Sequence, residues 1–341
     1  ILLLITPSIG ANVLSALGDV LNTIWPWLET PALHPWASWA GAQPALWVLG
    51  LTLIGLLILI MPRGLPARGV GVIFCLPLLL ATPEKPAHGQ FDLQLLDVGQ
   101  GLSALVRTTH HSLLFDAGAH PAGGLDMGAR TVAPNLRQAG VTQLDTLLIS
   151  HADNDHAGGA ASITQLFNPK QRLGVGGTPC VADTTWTWDG VKFEILHPSA
   201  AAHSHDNSSD SNQSCVLRIS AQGKYEYAVL LTGDIESEAE ATLLASRKNL
   251  SADLLIAPHH GSKTSSSLPF ILAVQPQMVW FATGYDNHFN HPAPLVVERY
   301  HDSGIEMFNI AETGALTVRV TQNGLGNVHT AVATQEKLWW R

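Results

Sequence analysis

Four side chains able to hold a metal ion fall within six residues: His151, Asp153, Asp155 and His156. They follow an apolar run, Leu147-Leu148-Ile149, that reads as a buried strand, and Gly158-Gly159 come just after them. Side chains spread around a tight turn at a strand's carboxyl end can converge on a point. Those along a regular strand alternate between faces and cannot. Two imidazoles and two carboxylates at one point repel or stay protonated unless a cation joins them. The stretch therefore points to a metal site holding one or two ions. The plainer alternative is a polar loop leading into a helix near Ala160, with Asp155 as its N-cap.

Other strand ends supply further donors. Asp234 follows Leu231-Thr-Gly, and His259 and His260 sit in Pro258-His-His-Gly-Ser262, with Asn287, His288 and His291 farther on. Singly, these are a turn aspartate and a helix-entry pair. Jointly they repeat one arrangement, in which an apolar strand ends in a metal-competent or polar group beside glycine.

Around these ends the sequence predicts strands at Phe91–Val98, Ser103–Thr108, Ser112–Phe115, Val191–Leu196, Cys215–Ser220, Tyr225–Leu231, Ala252–Ala257, Met278–Ala282 and Gly314–Val320. Helices are expected over Thr131–Ala139, Glu236–Arg247 and Leu295–Asp302. Strands with intervening helices and polar strand ends imply a layered α/β arrangement, two sheets inside and helices outside.

The 341 residues carry a net charge of −9, and only 13% of them are charged. Residues 1–83 hold just Asp19, Glu29, Arg63 and Arg68, so a membrane-associated portion is expected ahead of an acidic soluble one. Trp25, Trp27, Trp36, Trp39 and Trp47 beside apolar runs suit a membrane–water interface. Ala45–Met61 is uncharged and reaches the lower limit for a spanning helix, while the apolar run at 70–81 is short and contains Pro77. Arg63 and Arg68 between the two runs mark that side as cytoplasmic. If 65–82 crosses, the soluble domain lies outside the membrane; if it lies flat, the domain stays inside. The chain opens on Ile within an apolar run, as a piece of a longer protein does. Cys180 and Cys215 can pair. The expected division is 1–83 membrane-associated, 84–90 linker, 91–325 hydrolase domain and 326–341 tail.

Ser150-His-x-Asp-x-Asp-His-x-Gly-Gly159, Leu230-Leu-Thr-Gly-Asp234 and Pro258-His-His-Gly-Ser262 together resemble the metallo-β-lactamase fold, an αββα sandwich. More closely, the chain resembles the carboxyl-terminal domain of the ComEC family of DNA-internalisation (natural competence) proteins, with its preceding transmembrane or interfacial helices. Leu96-Asp-Val-Gly-Gln-Gly101, Phe115-Asp-Ala-Gly118, Asn287–Pro292 and Gly314-Ala-Leu316 match that family's entry and exit motifs. The resemblance implies two divalent metal ions. His151 and Asp153 are expected to hold one, Asp155 and His156 the other, with Asp234 bridging and His259 or His260 completing the second. Asp153 stands where the commonest fold pattern has His, and Asn212-Gln-Ser-Cys215 lacks that pattern's third histidine, for which His203 or His205 could substitute. Fewer imidazoles and more carboxylates favour Mn²⁺ over Zn²⁺.

The implied activity is a nuclease that degrades the DNA strand not imported, within an inner-membrane DNA-uptake machine and with its catalytic domain extracytoplasmic. Asp155 is expected to orient hydroxide, and His260 and His291 to donate to phosphate or leaving group. Lys263, Asn287, His288 and His291 are expected to bind substrate, and Arg130 and Arg137 to line the groove. Rival readings are a hydrolase of phosphorylcholine esters or lactones, and a non-catalytic docking cap on the channel.

Overall fold

The computed structural model describes residues 7–32, 44–62, 68–80, 83–200, 211–223 and 225–332. Trp36, Trp39, Arg63, His203, His205 and the tail beyond 332 lie outside the described residues. The chain divides into two units, Ile1–Leu80 and Ala81–Arg341.

The first unit holds helices α1 (Pro7–Ala32), α2 (Leu46–Ile60) and α3 (Arg68–Leu80). α2 and α3 meet backbone to backbone at two glycines: a Cβ on Gly55 would lie 2.7 Å from the Gly71 carbonyl, and the reverse holds equally. Arg68 Nη2 donates to the Leu59 carbonyl at 2.8 Å. α2 is shorter than the uncharged run that contains it, because Ala45 and Met61 are both extended and Met61 precedes Pro62. Its 15 residues give about 22 Å of helix, against roughly 30 Å of bilayer hydrocarbon. Among the described residues no helix is long and apolar enough to cross a membrane. The expected span at Ala45–Met61 is thus a shorter apolar helix, and much of its surface is exposed, Leu46 and Trp47 included.

The second unit is two packed mixed sheets. Its strands are β1 (Phe91–Leu95), β2 (Ala104–Arg107), β3 (Ser112–Phe115), β4 (Thr146–Ile149), β5 (Gln171–Gly174), β6 (Thr185–Trp188), β7 (Val191–His197), β8 (Val216–Ala221), β9 (Tyr227–Leu231), β10 (Leu254–Ile256), β11 (Met278–Phe281), β12 (Glu306–Asn309), β13 (Leu316–Thr321), β14 (Gly324–Leu325) and β15 (His329–Thr330). One sheet runs β14-β13-β1-β2-β3-β4-β5, with β15 on β13; the other runs β12-β11-β10-β9-β8-β7-β6. The inner faces make the main core, with Leu93, Phe115, Leu148, Phe193, Leu231 and Trp280 among its residues.

Outside one sheet pack α4 (Ala133–Gln138), entered through a π-helical turn at Gly128–Val132, then α5 (Asn154–Ala157) and α6 (Ala160–Phe167). Leu136, Ile163 and Phe167 seal that layer. Outside the other pack α7 (Ser237–Ala245), α8 (Leu268–Val274) and α9 (Pro294–Asp302), through Leu243, Phe270 and Tyr300. A short α10 (Ile310–Thr313) precedes β13. The result is a helix–sheet–sheet–helix sandwich.

β5, β6, β12 and α8 were not foreseen in the sequence. β6 is Thr-Trp-Thr-Trp on a sheet edge, where alternation leaves its indoles only half-buried. β3, β4 and β5 are parallel, as are β9 through β12. Parallel pairing brings the carboxyl ends of β3, β4, β9, β10 and β11 to one edge of the sandwich, where open α/β sheets place ligands.

Candidate metal centre

Each of those strand ends contributes a group. β3 stops at Asp116, a left-handed residue with φ 59° that is fully buried. β4 leads through Ser150 to His151, then through Asp153 into α5, which carries Asp155 and His156. Asp153 occupies the N-cap position of α5 without making a side-chain cap, so the turn does not spend this carboxylate on helix capping. β9 leads to Asp234, and β10 to His259 and His260, both left-handed with φ 48° and 55°. Gly233 is required before Asp234: its φ is 54°, and a Cβ there would stand 2.9 Å from Ser214 Cβ and 3.0 Å from Ser150 Cβ.

The hydrogen bonds behind the imidazoles fix their tautomers. Asp116 accepts from the Ser150 amide (2.7 Å), the Ser150 hydroxyl (2.7 Å) and His156 Nδ1 (2.8 Å). With its proton committed to Asp116, Ser150 Oγ accepts from His151 Nδ1 at 3.0 Å. His260 Nδ1 donates to the Ala282 carbonyl at 2.7 Å. Three rings therefore hold their protons on Nδ1 and aim Nε2 lone pairs inward, the orientation that carboxylate and carbonyl partners impose on metal-binding histidines.

Those lone pairs meet around Asp234. His156 Nε2 is 3.1 Å from Asp234 Oδ1 and 3.1 Å from His260 Nε2. His260 Nε2 is 3.4 Å from both Asp155 and Asp234. Asp155, His156, Asp234 and His260 place one ligand atom each within 4.8 Å of the others. His151 Nε2 adjoins them, 3.3 Å from Asp153 and 3.9 Å from Asp234, and His259 Nε2 lies 3.7 Å from Asp234. His151 Nε2 and Asp234 Oδ1 are buried without a hydrogen-bond partner. Orphaned buried polar atoms are costly, and facing lone pairs repel, so the donor set fits a cation.

Without one, protons must do the balancing. At His156 burial opposes the charge, but Asp234 and then Asp116 outweigh it and hold the imidazole well above its ordinary range. At His260 burial likewise opposes, and Asp234 with Asp155 lifts it to about 9. Asp234 itself is held well below the carboxylate range by His156 and His260, against the effect of its burial. His151 moves the other way, lowered by burial and by the charge on His156. A bound cation replaces those protons and releases them.

The remaining expected residues divide. His291 stands at the rim, its ring centroid 6.0 Å from that of His259. Burial, then the fields of His260 and His259, lower it to about 4. Asn287 turns both ends of its amide onto the backbone: Nδ2 donates to Gly284 and His291 carbonyls and Oδ1 accepts from the His291 amide. It shapes the loop rather than facing the centre. His288 and Lys263 are exposed. Arg137 lies over the Phe167 ring, 5.6 Å from its centroid, and is engaged by the outer helical layer; Arg130 is exposed.

Asp116, Ser150, Ser214 and Glu236 were not among the expected site residues. Ser214 Oγ accepts from the Asp234 amide, and Glu236 Oε1 lies 3.1 Å from His259 Nδ1. Asp116 left a trace in the sequence as the carboxylate of Phe115-Asp-Ala-Gly118, and Ser150 as the head of the Ser-His-x-Asp-x-Asp-His motif. Beside Ser214, where the commonest pattern has its third histidine, Cys215 is joined to Cys180 by a disulfide. The Asp97–Gly101 motif backs the ligand turn: Leu102 N donates to the Asp155 carbonyl at 3.1 Å, and a Cβ on Gly101 would lie 2.4 Å from that oxygen.

Residues 96–179 match the family described as the metallo-beta-lactamase superfamily. The chain is 36% identical over 311 residues to Competence protein ComA of Neisseria gonorrhoeae, covering 89% of this chain and 42% of that protein. It is 34% identical over 263 residues to Recombination protein 2 of Haemophilus influenzae, covering 74% of this chain and 32% of that protein. It thus spans less than half of either relative. Among solved structures, the metallo-beta-lactamase fold protein YhfI of Bacillus subtilis superposes with a TM-score of 0.42 at 13% identity, over 67% of this chain and 99% of that one.

Proposed function

This chain belongs to the ComEC family of competence proteins and carries that family's metallo-β-lactamase-fold hydrolase domain, and from this premise we propose that the domain is a metal-dependent deoxyribonuclease that degrades the DNA strand not imported during natural transformation. One observation carries the reading. Three imidazoles with protons pinned on Nδ1 turn their Nε2 atoms toward the Asp234 carboxylate, and Asp155 completes the group. This centre mixes carboxylate and imidazole, a donor set that suits Mn²⁺ or Zn²⁺. Two ions, Mn²⁺ or Zn²⁺, are proposed, with Asp155, His156, Asp234 and His260 holding one and His151, Asp153 and His259 placed toward the other. Bound divalent ions lower the pKa of a water molecule and offset the charge that grows on phosphate oxygens during in-line attack.

The chain's own residues supply the rest. Asp116 and the Ala282 carbonyl keep His156 and His260 oriented. Asp155 is the member of the four-residue group with the most solvent access, its side chain 31% exposed, so substrate and water approach beside it. His291 is neutral at pH 7 because its pKa is lowered to about 4, so it offers one N–H and one lone pair at the rim. An extracytoplasmic domain on a membrane-attached chain is part of the proposal. The exposed apolar helices of the first unit and the Cys180–Cys215 disulfide support it, since disulfides persist in oxidising compartments.

The test is degradation of end-labelled single-stranded DNA by the full chain with Mn²⁺. Cleavage should stop with EDTA and in Asp155→Ala. A metal-loaded protein that leaves DNA intact while turning over a phosphorylcholine ester or a lactone overturns the reading.

A further inference from the structure

Between β11 and α9, residues Gly284–His291 form a loop that is pinned yet displays its aromatic side chains. The Gly284 amide donates to Gln100 Oε1 at 3.2 Å. Asn287 ties Gly284 to His291 through three hydrogen bonds, and the Asn290 amide donates to the Asn287 carbonyl at 3.0 Å. Asp286 and Asn290 take left-handed backbone with φ 49° and 55°. On this fixed turn Tyr285 is 87% exposed and Phe289 54% exposed. Large apolar rings ordinarily go inward, so a braced turn that holds two of them outward points to a ligand.

His288, Phe289, His291 and His259 form a row of rings that ends at the metal centre, and Tyr285 stands exposed on the same turn. The His288 and Phe289 centroids are 4.1 Å apart, and Phe289 stacks on His291 at 5.7 Å with planes 23° apart. His291 neighbours His259 at 6.0 Å, and His259 Nε2 is 3.7 Å from Asp234. We propose that Tyr285 and Phe289 are a stacking platform for the bases of a single DNA strand, seating the nucleotide next to the phosphodiester presented at the centre. The proposal rests on the nuclease reading above and names the form of DNA that site takes.

A base is the occupant that suits the row. Flat aromatic faces in series accept any base, because every base has a π face. The exposed carboxylate of Asp286 beside them disfavours a phosphate at the outer end, leaving the phosphate for the cationic centre. In a duplex the faces of the bases are covered by their neighbours, so the platform selects unpaired strands without reading their sequence. Its position also gives the exposed His288 a role in flanking Phe289 that needs no charge.

The experiment measures binding separately from cleavage. The full chain is loaded with Ca²⁺ and titrated with a fluorescent oligothymidylate and with an abasic strand of the same length. The wild type should hold the base-bearing strand about ten-fold tighter, and Tyr285→Ala/Phe289→Ala should erase that preference. A 2-aminopurine in the strand should be quenched on binding by the wild type and by Phe289→Trp, but not by the double variant. Both positions are exposed at a loop surface, so a thermal melt should leave the double variant's fold unchanged. Equal affinity for the two strands, no binding of either, a preference that survives the double substitution, or Tyr285 and Phe289 instead capturing phosphatidylglycerol vesicles would each overturn the proposal. Discrimination of bases without DNA cleavage would sink the nuclease reading and keep this one; cleavage with no base preference would do the reverse.

Discussion

The two ends of the sandwich carry nearly the same residues and do opposite things with them. At the end where β2 turns into β3 and β6 into β7, Asp189 gathers His110, His111 and Thr108. It accepts from Thr108 Oγ1 at 2.6 Å, the His110 amide at 2.8 Å, His110 Nδ1 at 2.9 Å and His111 Nδ1 at 3.1 Å. His111 also stacks flat on Trp188. At the other end of β3, His151, His156, His259 and His260 surround Asp234 with their Nε2 atoms, buried polar atoms including His151 Nε2, His259 Nδ1 and Asp234 Oδ1 find no hydrogen-bond partner, and two ring nitrogens face each other at 3.1 Å. A cluster of His and Asp is therefore not in itself a metal site. What distinguishes the two is whether the protein's own donors finish the bonding. Asp189 is finished by four donors, one from buried Thr108 and the others from exposed His110 and half-exposed His111, and ties the two sheets together across their turns. Asp234 sits among inward-facing Nε2 atoms, a donor set that fits a cation.

Asp234→Ala breaks this contrast most severely. The several kcal/mol that a bound ion supplies to phosphodiester cleavage should be lost, on the order of a thousand-fold in turnover. Elemental analysis should show the metal content falling with it. A variant that keeps both its metal and its turnover refutes the assignment. Asp116→Asn is a gentler cut at the same end. The amide cannot accept from both Ser150 and His156 as the carboxylate does, so metal affinity should weaken about ten- to a hundred-fold while the fold persists. Metal titration followed by competition with a chelator reads this directly, and unchanged affinity would show that the bonds behind the rings do not matter.

The smallest effect belongs to the finished end. Asp189→Asn should cost about 1–2 kcal/mol of stability through its weakened hydrogen bonds and leave metal affinity untouched. The sign with pH follows from the carboxylate. Burial raises its pKa, but the bonds from Thr108, His110 and His111 outweigh that and depress it below the ordinary 3.8. Its stabilisation is thus complete above that value and is lost as pH falls through the lower folded-state value. Melting curves of wild type and Asp189→Asn should be separated at pH 7 and draw together below about pH 4. A separation that widens in acid would mean the pairing is misread.

Much of the site was legible because its signals are local. The turn at 151–156, Asp234 behind Thr-Gly, and His259-His260 each lie beside an apolar strand, and strand ends are where side chains escape alternation. Inner strands were legible too: β3, β4 and β11 are buried along their length and read as largely apolar runs. The strands that escaped notice lie away from the middle of the sheets, β5, β6 and β12, where partial exposure dilutes the pattern. In the first unit an uncharged run marked α2, but its usable length was set by extended backbone at Ala45 and Met61.

What the sequence determined by itself was the set of donors, their attachment to strand ends and the two-sheet architecture that alternation and burial demand. Only the tertiary structure decided which of the paired histidines joins Asp155, His156 and Asp234. It chose His260, whose Nδ1 reaches the Ala282 carbonyl, while His259 turns toward Glu236. It also made Asp116 the hub behind the rings, spent Asn287 on the loop backbone, and kept His291 neutral. The reason is physical: a residue's type fixes how many protons and lone pairs it carries, but partners far away in the chain fix where they point. Asp116 and His156 are 40 residues apart, and His156 and His260 are 104 apart. Only folding brings them within bonding distance.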